Sequence, residues 1–270
     1  MLRQNCSRIT GGYELEGAAT SDSASRLMVS TIIPARDEAN SISSVIHKIR
    51  ESLSGMPHEI IVVNDGSRDG TGQVASRSGV ILVSHQRNLG KGAAMKTGVQ
   101  NASGRVIVFL DGDGAHHPQD IARVIAPILE GKADLVIGSR ALPESNVSIS
   151  PLTRRLSNKL ASFIISGVIS FLLPLITLFK CSVRWIKITD CTSGFRAIKR
   201  DAWQKLNLAS RGFQIETEMI YEAARNRFVI VEAPISCNWN KELSHLSILR
   251  DGWKTLKLLA RKLIGDVGGR

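Results

Sequence analysis

The chain reads as an α/β protein built on a mostly parallel sheet flanked by helices. Three observations carry that expectation. Short apolar, β-branched runs alternate with helix-spaced segments over ~110 residues, the pattern of a doubly wound sheet. Four of the runs end in loops made of Asp, Asn, Gly, Ser and Arg. One of them, Val106 to Leu110, is continuously apolar and stops at Asp111-Gly112-Asp113-Gly114. A run of that kind is a buried parallel strand, and open α/β sheets bind ligands outside the carboxyl ends of their strands.

Residues 1–27 are rich in Gly, Ser, Ala and Thr without a period, and are expected to be a mobile tail. The first strand starts near Met28 and closes at Pro34. Ile42, Val45, Ile46 and Ile49 then have helical spacing, with Asn40 or Ser41 as the cap. A second strand, Glu59 to Val63, runs into Asn64-Asp65-Gly66-Ser67 and a new helix start. A third strand ends before Asn88-Leu89-Gly90-Lys91-Gly92, and a helix over Ala93 to Gln100 follows. After the Asp111 loop, Pro118 suits the first turn of a helix reaching Glu130. Ala133 to Ile137 is a further strand and ends at Gly138-Ser139-Arg140. A helix over Gln214 to Asn226 and a strand over Val229 to Pro234 close the pattern.

The 270 residues are 43% hydrophobic, enough for a sizeable core, and carry a formal net charge of +11. That balance suits a polyanionic partner, whether phosphorylated substrate or anionic lipid. Aromatic residues make up only 5%, too few for a platform that stacks single-stranded nucleic acid, and no nucleic-acid partner is expected. Cys6, Cys181, Cys191 and Cys237 form no CxxC pair and have no zinc spacing, which reads as reduced and intracellular. There is no GxGxxG after the first strand and no GxxxxGK[ST], so neither a dinucleotide fingerprint nor a P-loop is present.

Asp111 and Asp113 are separated by one glycine at a strand end. Such a pair is either an ordinary turn or a site for a cation that relieves the repulsion of two carboxylates. Oxygen-only ligands with open positions suit Mg²⁺ or Mn²⁺ carrying phosphates.

The stretches IIPARDEANSI, VVNDGSRDGT, NLGKGAAMKTG, FLDGDGAHHP and VIGSR, in this order, resemble glycosyltransferase family 2 with its GT-A nucleotide-sugar fold. DCTSGFRAIKRDAW and GFQIETEMIYEAARNRFVIVEAPI resemble the branch of dolichyl- and polyprenyl-phosphate mannose or glucose synthases. The resemblance implies roles residue by residue. Pro34, Ala35, Arg36 and Glu38 line the base pocket, and Asp65 holds the base or ribose. Lys91 lies near the nucleotide phosphates. Asp111 and Asp113 hold Mg²⁺ or Mn²⁺. Arg155, Arg196 and Ser244 meet the acceptor phosphate and Arg140 approaches either that phosphate or the leaving diphosphate, with Asp113, Arg140 and Arg196 closest to the chemistry. Two departures stand out. Arg36-Asp37-Glu38 replaces the usual Tyr-Asn-Glu, and Ala115 stands where relatives write Gln, leaving water, His116 or a substrate oxygen as the third metal contact.

Residues 160–179 contain no charge, yet Gly167 and Pro174 interrupt them and basic residues flank both sides. Two short amphipathic or re-entrant helices broken near Pro174, lying in the cytoplasmic membrane interface, fit better than one span, which would separate Arg196 from the Asp pair. The expected division is a nucleotide-sugar-binding half at 28–146, an interfacial helical segment at 147–189, an acceptor-side half at 190–245 and a basic amphipathic helix at 246–270. The implied reaction is inverting transfer of a hexose from a GDP- or UDP-hexose to a polyprenyl (dolichyl) phosphate. The alternative acceptor is a sugar hydroxyl of a glycan or glycolipid, which needs a base from Glu216 or Asp190.

Overall fold

The structure, a computed structural model, describes residues 29–147, 152–167, 188–238, 253–255, 257–262 and 264. Among the described residues seven strands form one sheet: β1 (Val29–Ala35), β2 (His58–Asp65), β3 (Ile81–His85), β4 (Val106–Phe109), β5 (Leu135–Ser139), β6 (Arg196–Lys199) and β7 (Ile230–Pro234). Their order is β3-β2-β1-β4-β6-β5-β7. All pairs are parallel except those made by β6, which runs antiparallel to both β4 and β5. This is the mostly parallel α/β sheet expected from the alternating pattern.

The helices include α1 (Ile42–Ser52), α2 (Thr71–Ser76), α3 (Lys91–Gln100), α4 (Ile121–Leu129, after a 3₁₀ turn at Pro118–Asp120), α5 (Leu152–Gly167), α6 (Arg200–Gln204) and α7 (Gln214–Arg225). Side chains alternate along each strand, so β1 feeds both faces of the sheet. Val29 and Ile33 pack with Ile42, Val45, Ile46 and Ile49 of α1 and with Ile121, Val124 and Ile125 of α4. Ile32 faces the other way and meets Ala94 and Met95 of α3 and Met219 of α7. A smaller cluster joins Ile165 of α5, Tyr221 of α7 and Leu259. Full burial of an Ile or Val side chain contributes roughly 1.5–3 kcal/mol, so the strand ends project from a rigid platform.

Two expectations are corrected and one strand is added. Ser41 precedes α1 but makes no cap bond; its hydroxyl donates to the carbonyl of Gly112, at 2.7 Å, and ties α1 to the Asp111 loop. The helix expected from Pro118 begins as a 3₁₀ turn, with α4 proper starting at Ile121. Strand β6 was not expected. Its four residues contain only Ala197 and Ile198 as apolar positions, too few to show a period. Residues 1–28 and 168–187, including Pro174, lie outside the described residues, as do 239–252. Among the described residues no helix is long and apolar enough to cross a membrane.

Candidate functional site

Parallel β1, β2, β4 and β5 deliver their carboxyl ends to one rim of the sheet. Antiparallel β6 starts at that rim, so the Asp190–Phe195 segment before it enters the same place. The first turn of α7 brings Glu216 there as well.

On the β2 side, Asp65 is buried. Its carboxylate accepts the N–H groups of Leu89 and Gly90, both at 2.8 Å, and lies 2.7 Å from His85 Nδ1. Gly66 has φ +67, and a β-carbon there would stand 2.5 Å from the backbone of Arg87 and Asn88. The Asn64–Ser67 loop and the Leu89–Lys91 loop therefore lock together, and Asp65 acts first as the anchor that starts α3 at Lys91. Its expected contact with base or ribose competes with three protein donors.

Lys91 Nζ lies 2.6 Å from Asp111 Oδ1 and 2.6 Å from Glu216 Oε1. Burial opposes the ammonium charge, but the two carboxylates more than offset it and raise its pKa. Burial alone would raise Asp111; Lys91 reverses this and holds the carboxyl below the ordinary aspartate value. For Glu216 burial prevails and the pKa is raised. Gly194 backs the group: a β-carbon on it would lie 2.5 Å from Asp111 Oδ2 and 2.6 Å from Lys91 Nζ.

Asp113 accepts the N–H of Ala115 at 2.9 Å. Glu38 is buried nearby, and burial followed by the charge of Asp113 raises its pKa to about 8. Glu38 thus stands close enough to the Asp pair to feel its charge. Arg36 is exposed and lies 3.6 Å from Asp37. Ala35 packs into the core, leaving only its backbone to face a ligand, and Pro34 is half-buried beside it. The loop after Asp113 is fixed from the far side: Asn238 N–H donates to Ala115 O at 2.8 Å, and His116 bridges to Cys237. His116 is buried with neither ring nitrogen bonded. Burial pushes its imidazole down to about 4, so it is neutral near pH 7.

Across the rim, Arg140 makes a two-pronged contact with Asp190, Nε to Oδ2 at 2.7 Å and Nη2 to Oδ1 at 2.9 Å. Nη2 also donates to Thr192 Oγ1 at 3.0 Å. Asp190 is fully buried while 27% of the Arg140 side chain stays exposed. Although burial opposes the charge, Asp190 holds Arg140 above its ordinary pKa. Asp190 is itself placed by Glu232 of β7, whose carboxylate accepts the N–H groups of Thr189 and Asp190 at 3.0 and 2.9 Å.

The rim therefore presents an ammonium shared by two carboxylates, Asp111 and Glu216, a third carboxylate at Asp113, and a fixed guanidinium opposite. The family model for glycosyl transferase family 2 matches residues 30–206. The chain belongs to glycosyltransferase family 2. It is a hexosyltransferase. Its relatives include the UDP-N-acetylglucosamine–dolichyl-phosphate N-acetylglucosaminyltransferase of Methanococcus voltae, 30% identical over 230 residues, 77% of this chain and 84% of that one. The polyprenol monophosphomannose synthase of Mycolicibacterium smegmatis is 30% identical over 233 residues, 82% and 80% of the two chains. The crystal structure of glucosyl-3-phosphoglycerate synthase from Mycobacterium tuberculosis, with Mn²⁺, UDP and phosphoglyceric acid, superposes with TM-score 0.64 at 20% identity, covering 92% of this chain and 81% of that one. That likeness concerns the fold.

A divalent cation in this family-2 site fits the donors at hand. Asp111 and Asp113 are hard oxygen donors, and the buried unbonded His116 ring stands in the same loop. Among the described residues no three such side chains are gathered as a closed cage. Mg²⁺ and Mn²⁺ sites that also carry phosphates use one or two carboxylates and fill the rest with substrate and water.

Of the remaining sequence candidates in this family-2 enzyme, Arg196 is corrected. It is fully buried, and its guanidinium donates to the carbonyls of Ser193 (2.8 Å), Cys191 (2.7 Å) and Glu216. It therefore shapes the Cys191–Phe195 loop and cannot reach an acceptor phosphate from there. Arg155 falls on α5, with its side chain outside the described residues, and Ser244 lies outside them altogether. The resemblance implied that the Asp190–Arg196 segment, with Thr192 and Gly194, packs beside the metal site and the acceptor, but His85 as the partner of Asp65 was missed. The Asp65–His85 pairing comes from the β2–β3 register, which no spacing along the chain reveals.

Proposed function

We propose that this enzyme transfers a hexose, with inversion, from a nucleotide-diphosphate sugar to a polyprenyl (dolichyl) phosphate at the cytoplasmic face of a membrane. The observation that carries the choice of acceptor is the state of the two candidate bases. Glu216 is engaged with Lys91, and Asp190 is engaged with Arg140 on both oxygens. A hydroxyl acceptor needs a base to take its proton. A lipid phosphate needs none, because its attacking oxygen is already anionic. The relatives named for dolichyl-phosphate and polyprenol-phosphate products support the same reading.

In this mechanism Asp111 and Asp113 would hold Mg²⁺ or Mn²⁺, which supplies charge stabilisation to the departing diphosphate. Lys91 adds a positive charge on the donor side. Arg140, fixed by Asp190 and Thr192, orients the acceptor phosphate; its oxygen forms a bond to the anomeric carbon as the bond to the nucleotide diphosphate breaks. The new glycosidic bond forms on the face opposite the leaving group, and no proton changes hands. Asp65 and the neighbouring strand ends receive the nucleoside of a GDP- or UDP-hexose.

The membrane part of the proposal rests on surface chemistry. Leu160 and Phe163 on α5 are exposed, as are Trp253 and Ile264, amid Lys159, Lys254, Lys257 and Arg261. Apolar side chains between basic ones suit an anionic lipid surface. The test is to incubate the enzyme in vesicles containing polyprenyl phosphate with labelled GDP- and UDP-hexoses, with Mn²⁺ or with a chelator. A lipid-linked, metal-dependent sugar product is expected. Folded enzyme giving no lipid product from any donor overturns the proposal, and sugar transfer to a glycan hydroxyl instead establishes the other acceptor class.

A further inference from the structure

Lys91 sits where two demands meet. Its ammonium is 2.6 Å from Asp111, the first carboxylate of the metal pair, and 2.6 Å from Glu216 on α7. We infer that Lys91 is the resident cation of the donor site, occupying Asp111 until nucleotide diphosphate draws it away, so that metal and nucleotide are taken up together and not in independent steps. This rests on the reading of Asp111 and Asp113 as metal-holding carboxylates.

Four observations support it. The Lys91 side chain is 11% exposed and the Glu216 side chain 4%, so water does little to weaken the contact between them. Gly194 is pressed onto both Lys91 Nζ and Asp111, which closes one side of the ammonium. The Phe213 ring, 5.6 Å from Nζ, stands on the α7 side together with Glu216. Lys91 can therefore give up Asp111 while still held by Glu216. Finally, the helix that carries Lys91 is fixed at its start, since Asp65 holds Gly90 and the Arg211 carbonyl accepts the N–H of Ala93 at 3.1 Å. Only the lysine side chain needs to move.

The physical argument is mutual exclusion. An ammonium and a divalent cation on one half-buried carboxylate, with 26% of the Asp111 side chain exposed, repel each other. The diphosphate of a nucleotide offers the ammonium a new anionic partner. Release of Asp111 by Lys91 then favours the cation, and by linkage the cation favours the nucleotide by the same factor. Glu216 has a defined part in this. It is a positioning residue that keeps Lys91 in the site after the exchange.

The experiment measures Mn²⁺ binding to the full chain by electron paramagnetic resonance, with and without UDP or GDP, correcting for Mn²⁺ bound by free nucleotide. Wild type is expected to bind Mn²⁺ alone weakly, with nucleotide diphosphate tightening it about tenfold or more. Lys91→Met is expected to bind Mn²⁺ alone about tenfold tighter than wild type, with a smaller nucleotide effect, since only direct coordination by the diphosphate remains. Glu216→Gln leaves Lys91 only Asp111, so Mn²⁺ alone should bind more weakly than to wild type. Circular dichroism checks that each variant is folded; if Lys91→Met is not, Glu216→Gln carries the test. Mn²⁺ binding no tighter to folded Lys91→Met than to wild type overturns the inference, as does unchanged or tighter binding to Glu216→Gln. Absence of Mn²⁺ binding to wild type and both variants with UDP and with GDP overturns the metal reading itself, and the inference with it.

Discussion

Gly194 lies directly against Asp111: a β-carbon added at Gly194 would stand 2.5 Å from Asp111 Oδ2 and 2.9 Å from Oδ1. The segment before β6 and the loop after β4 are thus fitted to each other across the rim, with Lys91 between them and Glu216.

Gly194→Ala should accordingly displace the Asp111–Lys91 pair while leaving the core untouched. A displacement of about 1 Å at a reacting centre costs on the order of a hundredfold in rate. The expected outcome is a loss of that size in kcat/KM with a melting temperature close to wild type. A variant with full activity would show that the pair has room to move and that the close fit has no catalytic consequence.

Asp190 fixes Arg140 through two oxygens while remaining fully buried. Asp190→Asn removes the charge and one acceptor but keeps the volume. Loss of a preorganised group facing developing charge costs roughly 10²- to 10³-fold. The expected effect is a fall of that order in kcat/KM for the lipid phosphate, with donor binding retained. Steady-state kinetics with the acceptor varied, alongside nucleotide binding, checks it; equal loss in donor affinity would place Arg140 on the nucleotide side instead.

Arg196→Met should behave differently. Three buried carbonyls lose their donor, and each unsatisfied buried polar group costs about 1–3 kcal/mol. Destabilisation by about 3 kcal/mol is expected in denaturant unfolding. At temperatures where the variant is folded, KM for the acceptor should stay near wild type. A stable variant with a large rise in acceptor KM would return Arg196 to the phosphate clamp that the sequence alone suggested.

Glu38 gives a pH signature. Burial and Asp113 raise its pKa from 4.5 to about 8 in the folded protein. The folded state then binds more protons than the unfolded state between those two values, and stability falls as pH rises across that window. In chelator-treated protein, wild type should lose melting temperature relative to Glu38→Gln as pH goes from 5 to 8.5. Parallel curves for the two proteins would refute it. Divalent cation, by neutralising Asp113, should flatten the wild-type curve.

The legible parts of the fold were those with a period. Ile42, Val45, Ile46 and Ile49 mark α1 by spacing alone, and all four are buried. The continuous run at Val106 marks β4, which is buried throughout. The loops at Asp65, Asp111 and Arg140 could be picked out because acidic, glycine and basic residues interrupt apolar runs in the same way each time. Strand β6 had no such mark. It becomes a strand because β4 and β5 leave a gap that it fills, with Ala197 paired to Val108 and Val136.

The sequence by itself determined the alternation of strand and helix, the family, and the set of polar residues gathered at the strand ends. Those follow from local pattern, since hydrophobic spacing and loop chemistry are written along the chain. The tertiary structure alone decided which groups neutralise which. Lys91 is 125 residues from Glu216 yet bridges it to Asp111. Arg140 is 50 residues from Asp190 yet is held by both its oxygens. Arg196, equally basic in the sequence, is turned inward onto carbonyls. Charge is a local property of a residue, but its partner is fixed by burial and by the path of the chain, and in this site the partners assign the roles.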